Sequence, residues 1–135
     1  MSYPLTDIEG IDEDIARALK AAGVRSSLGL LEKASTLRGR KTLAAATGLG
    51  EKQLLCWANM ADRMRIRGVR REYAELLSAA GVDTIRELAY RNPQKLAEAM
   101  AKANGKRKLV RLLPSEKAVT RWIAHAKQLP IKISY

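Results

Sequence analysis

The chemistry-bearing side chains of this chain are few. His125 is the only histidine and Cys56 the only cysteine, so neither a pair of histidines nor a multi-cysteine zinc site can form. Cys56 abuts Trp57 in an apolar helical stretch, where a buried, inert thiol is expected; a nucleophile would need a depressed pKa. His125 lies one residue from Ala126, on the edge of an apolar stripe, and a partly exposed structural role is expected of it. Asp12, Glu13 and Asp14 bunch three carboxylates, but the glycine and distal glutamate of a calcium loop are missing. Gly48-Leu49-Gly50-Glu51-Lys52 is not the phosphate loop of nucleotide hydrolases, because the Gly-x4-Gly-Lys-Ser/Thr spacing is absent. No catalytic constellation emerges, and no enzyme activity, cofactor or metal is expected.

What remains is a chemistry of backbone amides and cations. Four short turns each precede an amphipathic stretch: Glu9-Gly10-Ile11-Asp12, Thr47-Gly48-Leu49-Gly50, Arg67-Gly68-Val69-Arg70 and Leu113-Pro114-Ser115-Glu116. This is the helix-hairpin-helix pattern. Glycine allows the tight turn with positive φ. The following helix then presents free N–H groups and the positive end of its dipole, where a phosphate oxygen fits. Such contacts position a protein on a duplex without reading bases. The second turn carries the full glycine pair. The third lacks the second glycine but is strongly basic, and the fourth has no glycine. The first is acidic and would repel phosphate, which leaves it a structural part. The candidate DNA-binding residues are therefore Gly48, Gly50, Lys52, Arg67, Gly68, Arg70, Arg71, Lys106, Arg107, Lys108 and Lys117.

The elements that position these residues come in two copies. Residues 8–34 and 66–92 match at an offset of 58, with nine of 27 positions identical, among them Gly10/Gly68 and the Ala-Ala-Gly-Val runs ending at Val24 and Val82. The match resumes at an offset of 65, where Glu51-Lys52 meets Glu116-Lys117 and Trp57 meets Trp122, after an insertion around Lys102–Arg111 in the second copy. Each copy reads as helical. Ile15, Leu19 and Ala22 share a helix face, Gly23 and Gly81 sit at left-handed helix ends, and Ser26, Thr84 and Ser115 are placed as N-caps. A third helix is expected from about Arg40 to Ala46 and, in the second copy, from Pro93 to about Ala103. A fourth, Glu51 to Met64, aligns Leu54, Trp57, Ala61 and Met64, so both tryptophans are expected as core anchors. The fold class expected is all-α: eight short helices forming two tandem paired helix-hairpin-helix units, residues 1–65 and 66–130, in one compact body. The tail 131–135 reads as β-like.

Composition agrees with a folded helical protein. Of the 135 residues, 47% are hydrophobic and none is Phe, so the apolar content is mainly Ala and Leu, good helix formers. No apolar run reaches the ~18–20 residues of a membrane span, and the N-terminus lacks the basic and apolar parts of a signal peptide. A cytoplasmic protein with no membrane partner is expected. The formal net charge is +11 with a sequence pI of about 10.2, which points to a polyanionic partner. It is uneven along the chain: −2 over residues 1–37, +7 over 38–71, −1 over 72–105 and +7 over 106–135. The two basic stretches suggest two pseudo-equivalent basic surfaces.

The stretches YPLTDIEGI, AAGV, GRKTLAAATGL, RIRGV, EYAELLSAAGVDTIREL and LVRLLPS with VTRWIAHAKQL together span nearly the whole chain. In them the sequence resembles a bacterial family, domain of unknown function 4332, built from tandem helix-hairpin-helix units. That resemblance implies a fold and no established activity. It also implies glycine in the first and third hairpins where this chain has Asp12 and Arg70, a departure that weighs against phosphate contact by the first. More distantly the units resemble the helix-hairpin-helix domains of recombinases and Holliday-junction proteins, which implies DNA binding by analogy. Two repeats in 135 residues leave no room for the catalytic pocket of a DNA glycosylase. The expectation is sequence-independent binding of double-stranded or branched DNA. The alternative is a protein-interaction or assembly scaffold, the use made of a similar architecture in an extrinsic photosystem subunit.

Overall fold

The computed structural model describes residues 2–135, and among them every regular element is helical. After a 3-10 turn at Leu5–Asp7 come α1 (Glu13–Ala21), α2 (Ser27–Lys33), α3 (Leu37–Thr47), α4 (Glu51–Arg63), α5 (Arg71–Ala79), α6 (Ile85–Ala89), α7 (Pro93–Arg107) and α8 (Glu116–Gln128). Helices α1–α4 correspond in order to α5–α8. The tail forms no strand.

The helix ends follow from the residues that punctuate them. Gly23 has φ +90° and Gly81 φ +94°. Past α1, the Gly23 and Val24 N–H groups return to the Lys20 and Leu19 carbonyls; past α5, Gly81 and Val82 do the same to Ser78 and Leu77. These paired bonds are the Schellman closure, which satisfies carbonyls a helix end would otherwise leave bare. Ser26 Oγ accepts from the Gly29 N–H, and Thr84 forms a reciprocal capping box with Glu87. Thr36 caps α3, which starts earlier than the expected Arg40. Asn92 caps α7 with Pro93 in its first turn. Each such cap contributes about 1 kcal/mol. The insertion in the second copy lengthens α7 to Arg107, beyond the expected Ala103. Lys108 then turns the chain at φ +48°, and the Asn104 side chain holds Val110 through both its N–H and its carbonyl.

By packing, the described chain divides into two units: one runs to Asp62 and regains Lys132–Tyr135, and the other is Arg63–Ile131. In the first, α2 packs on α3; in the second, α6 and α7 pack on α8, and α5 on α7. Leu19, Leu30, Leu31 and Leu54 form the buried centre of the first, and Ile66, Leu76, Leu77, Leu88 and Leu96 that of the second. Trp57 and Trp122 are 5% and 4% exposed, and Leu54, Ala61 and Met64 share the burial of Trp57. Cys56, by contrast, lies on the outer side of α4 and is exposed, against the expectation of a buried thiol. The stripe 54–57–61–64 turns its neighbour at 56 outward.

Buried arginines brace both units, so part of the first basic stretch is not surface charge. Arg40 is 2% exposed and donates to the carbonyls of Ala34 and Ser134, each at 2.8 Å. The Ser134 N–H reaches the Ser35 carbonyl, and the Tyr135 hydroxyl donates to Asn59 Oδ1. In the second unit Arg63 donates to the carbonyls of Ala74 and Asp83, and Arg65 to that of Pro130. A guanidinium supplies five donors in a fixed fork, which suits it to several carbonyls at once. Since Arg63–Arg71 open the second unit, the charge divides unequally. Arg63–Ile131 holds sixteen Lys and Arg against six Asp and Glu, a formal +10, and the other unit nine against eight, +1. By formal charge the second unit is basic and the first near neutral.

Candidate nucleic-acid interface

The first and third turns share one construction. The Ile11 N–H donates to the Ile8 carbonyl at 3.1 Å, and the Val69 N–H to the Ile66 carbonyl at 3.0 Å. Gly10 and Gly68 occupy the third position of each turn with φ +93° and +89°, as a type II turn requires. Beneath each glycine lies the indole of the matching tryptophan. A Cβ on Gly10 would stand 3.0 Å from Trp57 Nε1, and one on Gly68 3.4 Å from Trp122 Nε1. The tryptophan thus fixes the height of the turn above its unit.

The helices that follow these turns begin differently. Asp12 caps α1, its carboxylate accepting from the Ile15 N–H at 2.8 Å. The repeat puts Arg70 at the matching place, and α5 has no side-chain cap. Its Tyr73 N–H, the counterpart of Ile15 N–H, has no protein acceptor among the described residues. An uncapped helix start carries partial positive charge. Here exposed Arg67, Arg70 and Arg71 surround it, although Arg71 Nε also reaches Glu75 at 3.3 Å. Gly68, exposed at the turn's crest, likewise has no acceptor for its N–H among the described residues. An anion placed there would meet open amides beside arginine side chains. At the first turn it would meet carboxylates.

The second turn is closed to the same use. The Gly48 N–H donates to the Ala44 carbonyl, that of Leu49 to Thr47 Oγ1 and that of Gly50 to Gln53 Oε1. A phosphate bound there would have to displace these partners. Both α4 and α8 begin with Glu-Lys, which sets Gly50 against Ser115 and Gly48 against Leu113 in the repeat. Ser115 caps α8 through the Ala118 N–H.

Of the candidate residues, all eleven are exposed, and Gly48, Gly50 and Lys52 belong to the first unit while the other eight belong to the second. Lys106 and Arg107 lie in the last turn of α7 and Lys108 is its cap, where cations also offset the helix's negative end. The chain past Lys108 meets the first turn of α5, since Glu72, Tyr73 and Leu109 through Leu112 line one depression. Three residues of this region stand outside the candidate set read from the sequence, although the structural role expected of His125 is the one it fills. His125 Nδ1 accepts the Arg67 N–H at 3.1 Å, the Tyr73 hydroxyl donates to the Leu112 carbonyl at 2.9 Å, and Arg121 lines an open groove with Arg67 and Gly68. The repeat held the signal for Arg121 and His125, which stand where the first copy has Cys56 and Met60.

Among the described residues, no group of three His, Cys, Asp or Glu is placed to hold a metal ion, and no helix is long and apolar enough to cross a membrane. The molecule is thus an all-α protein that repeats a four-helix pattern, with its cationic surface concentrated in the second unit. A model of the family described as Domain of unknown function (DUF4332) matches residues 9–129, and the chain belongs to that family. No curated protein and no solved structure shows significant similarity to it.

Proposed function

We propose that this protein binds DNA through its second unit, holding phosphates of duplex or branched DNA without reading base sequence and performing no chemistry of its own. In this reading the four turns are helix-hairpin-helix turns, and the third is the principal contact. One observation carries the proposal: the exchange of the capping Asp12 of α1 for Arg70 of α5. It converts a self-satisfied helix start into an open, cation-flanked one in a unit of formal charge +10. Gly68 and the first amides of α5 take the phosphate oxygens, with Arg67, Arg70 and Arg71 around them. Lys106, Arg107, Lys108 and Lys117 extend the cationic field. Gly48, Gly50 and Lys52 are secondary, because the second turn's amides are engaged internally.

Fluorescence anisotropy with a short duplex tests this. With about six to eight phosphates neutralised, affinity falls on the order of 10³–10⁵-fold from ~50 to ~200 mM salt. Absence of binding at the lower salt refutes the proposal. The scaffold alternative has its own observation, an apolar groove in the same unit.

A further inference from the structure

The groove shared by Arg67 and Arg121 is open to solvent, has a volume of about 1000 Å³ and lies wholly within the second unit. One wall is the Arg67–Gly68 turn, one is α8, and one is the segment Leu112–Ser115. Leu112 and Leu113 face it at 76% and 41% exposure. They are the only adjacent pair among the large exposed hydrophobic residues described. Neither rim hangs loose. The Leu112 carbonyl is held by the Tyr73 hydroxyl, and the Arg67 N–H by His125. The Tyr73 and Trp122 rings pack together beneath, centroids 5.3 Å apart and planes tilted by 50°. A concave, pre-formed apolar surface with a few fixed polar groups is what a ligand site needs.

The architecture does not demand this surface. At the matching positions the first unit has Glu9 for Arg67, Cys56 for Arg121, Thr47 for Leu112 and Gly48 for Leu113. The second unit thus carries two cations and two exposed leucines that the shared fold does without. No Asp or Glu lines the groove, so its charge is unopposed. A duplex is a poor occupant: it is too wide to enter and offers the leucines nothing apolar. A stacked base is poor as well, because Trp122 is buried and the Tyr73 ring packs against it.

We propose that this groove docks a short acidic segment of a partner protein, with one large apolar side chain seated against Leu112 and Leu113 and flanking carboxylates paired with Arg67 and Arg121. The geometry suits a central apolar anchor ringed by charge, the usual anatomy of a small peptide interface. The inference does not rest on DNA binding, although Arg67 is common to both and the two ligands would compete for it.

Peptide phage display against the full-length chain at physiological salt tests it. Enriched peptides are expected to combine a large apolar residue with two or more Asp or Glu. A fluorescein-labelled synthetic copy of the dominant peptide should lose about tenfold or more in affinity on Arg121→Glu and on Leu112→Asp. Lys41→Glu, an exposed position of the first unit outside the groove lining, should leave its binding within about twofold. Both groove positions are exposed, and circular dichroism would verify the fold of each variant. No enrichment, enriched peptides without acidic residues, or peptide binding indifferent to both groove substitutions would overturn the proposal. So would single-stranded DNA binding that is lost on the same two substitutions while no peptide is selected.

Discussion

The backbone N–H of Arg67 donates to Nδ1 of His125 across 3.1 Å, fastening the third turn to α8 fifty-eight residues further along the chain. The imidazole accepts through Nδ1, so the single histidine of the chain sets the orientation of a turn. Replacing His125 with Leu keeps the volume and removes the acceptor. Stability in urea should fall by about 0.5–1.5 kcal/mol, and duplex affinity should fall by less than Arg67→Glu causes. A variant that binds duplex as poorly as Arg67→Glu would assign His125 a direct contact.

Gly10 and Gly68 are equivalent by repeat and by φ, yet they differ in the room beneath them. Alanine at either position must hold a left-handed conformation, at about 1–2 kcal/mol. At Gly10 the new methyl also meets Trp57 Nε1 at 3.0 Å, against 3.4 Å to Trp122 at Gly68. Gly10→Ala should therefore lower Tm more than Gly68→Ala. Equal losses would show that strain alone, and not the indole, governs these turns.

The two turns also show what the sequence could and could not reveal. Helix ends were readable because glycine and hydroxyl residues act locally: Gly23, Gly81, Ser26, Thr84 and Ser115 stand where the structure uses them. The indole stripe was readable from its period. The fate of the arginines was not. Arg40, Arg63 and Arg65 look like surface charge in any composition, and only tertiary packing shows them wrapped around backbone carbonyls. The same holds for Cys56, whose apolar neighbours face inward while it faces out. The amides of Gly48–Gly50 suited phosphate by motif, but side chains one turn away, Thr47 and Gln53, already hold two of them.

Arg40 ties the C-terminal tail to the first unit. Arg40→Met keeps an apolar stem and deprives two carbonyls, those of Ala34 and Ser134, of their donor. A buried polar group left bare costs about 1–3 kcal/mol, so Tm should drop by several degrees. Removal of residues 132–135 should cost a similar amount through loss of buried Ile133, and the two changes combined should be less than additive. Full additivity, measured by differential scanning calorimetry, would mean that Arg40 and the tail act independently.

Arg70 offers a test in which stability and function move in opposite directions. In the first unit the matching position, Asp12, caps its helix at 2.8 Å. Arg70→Asp should restore that cap to α5, whose first turn lacks a side-chain acceptor. A cap and a favourable charge at the helix start together contribute roughly 0.5–2 kcal/mol, so the variant should melt higher than the parent. The same carboxylate occupies the amides proposed for phosphate and removes a cation. Duplex affinity should therefore fall, and the slope of log K against log salt should shrink by about 1. The reciprocal change, Asp12→Arg, should destabilise the protein by about 1 kcal/mol through loss of the α1 cap. If Arg70→Asp melts higher and still binds duplex with the parent's affinity and salt slope, the open start of α5 is not where DNA is held.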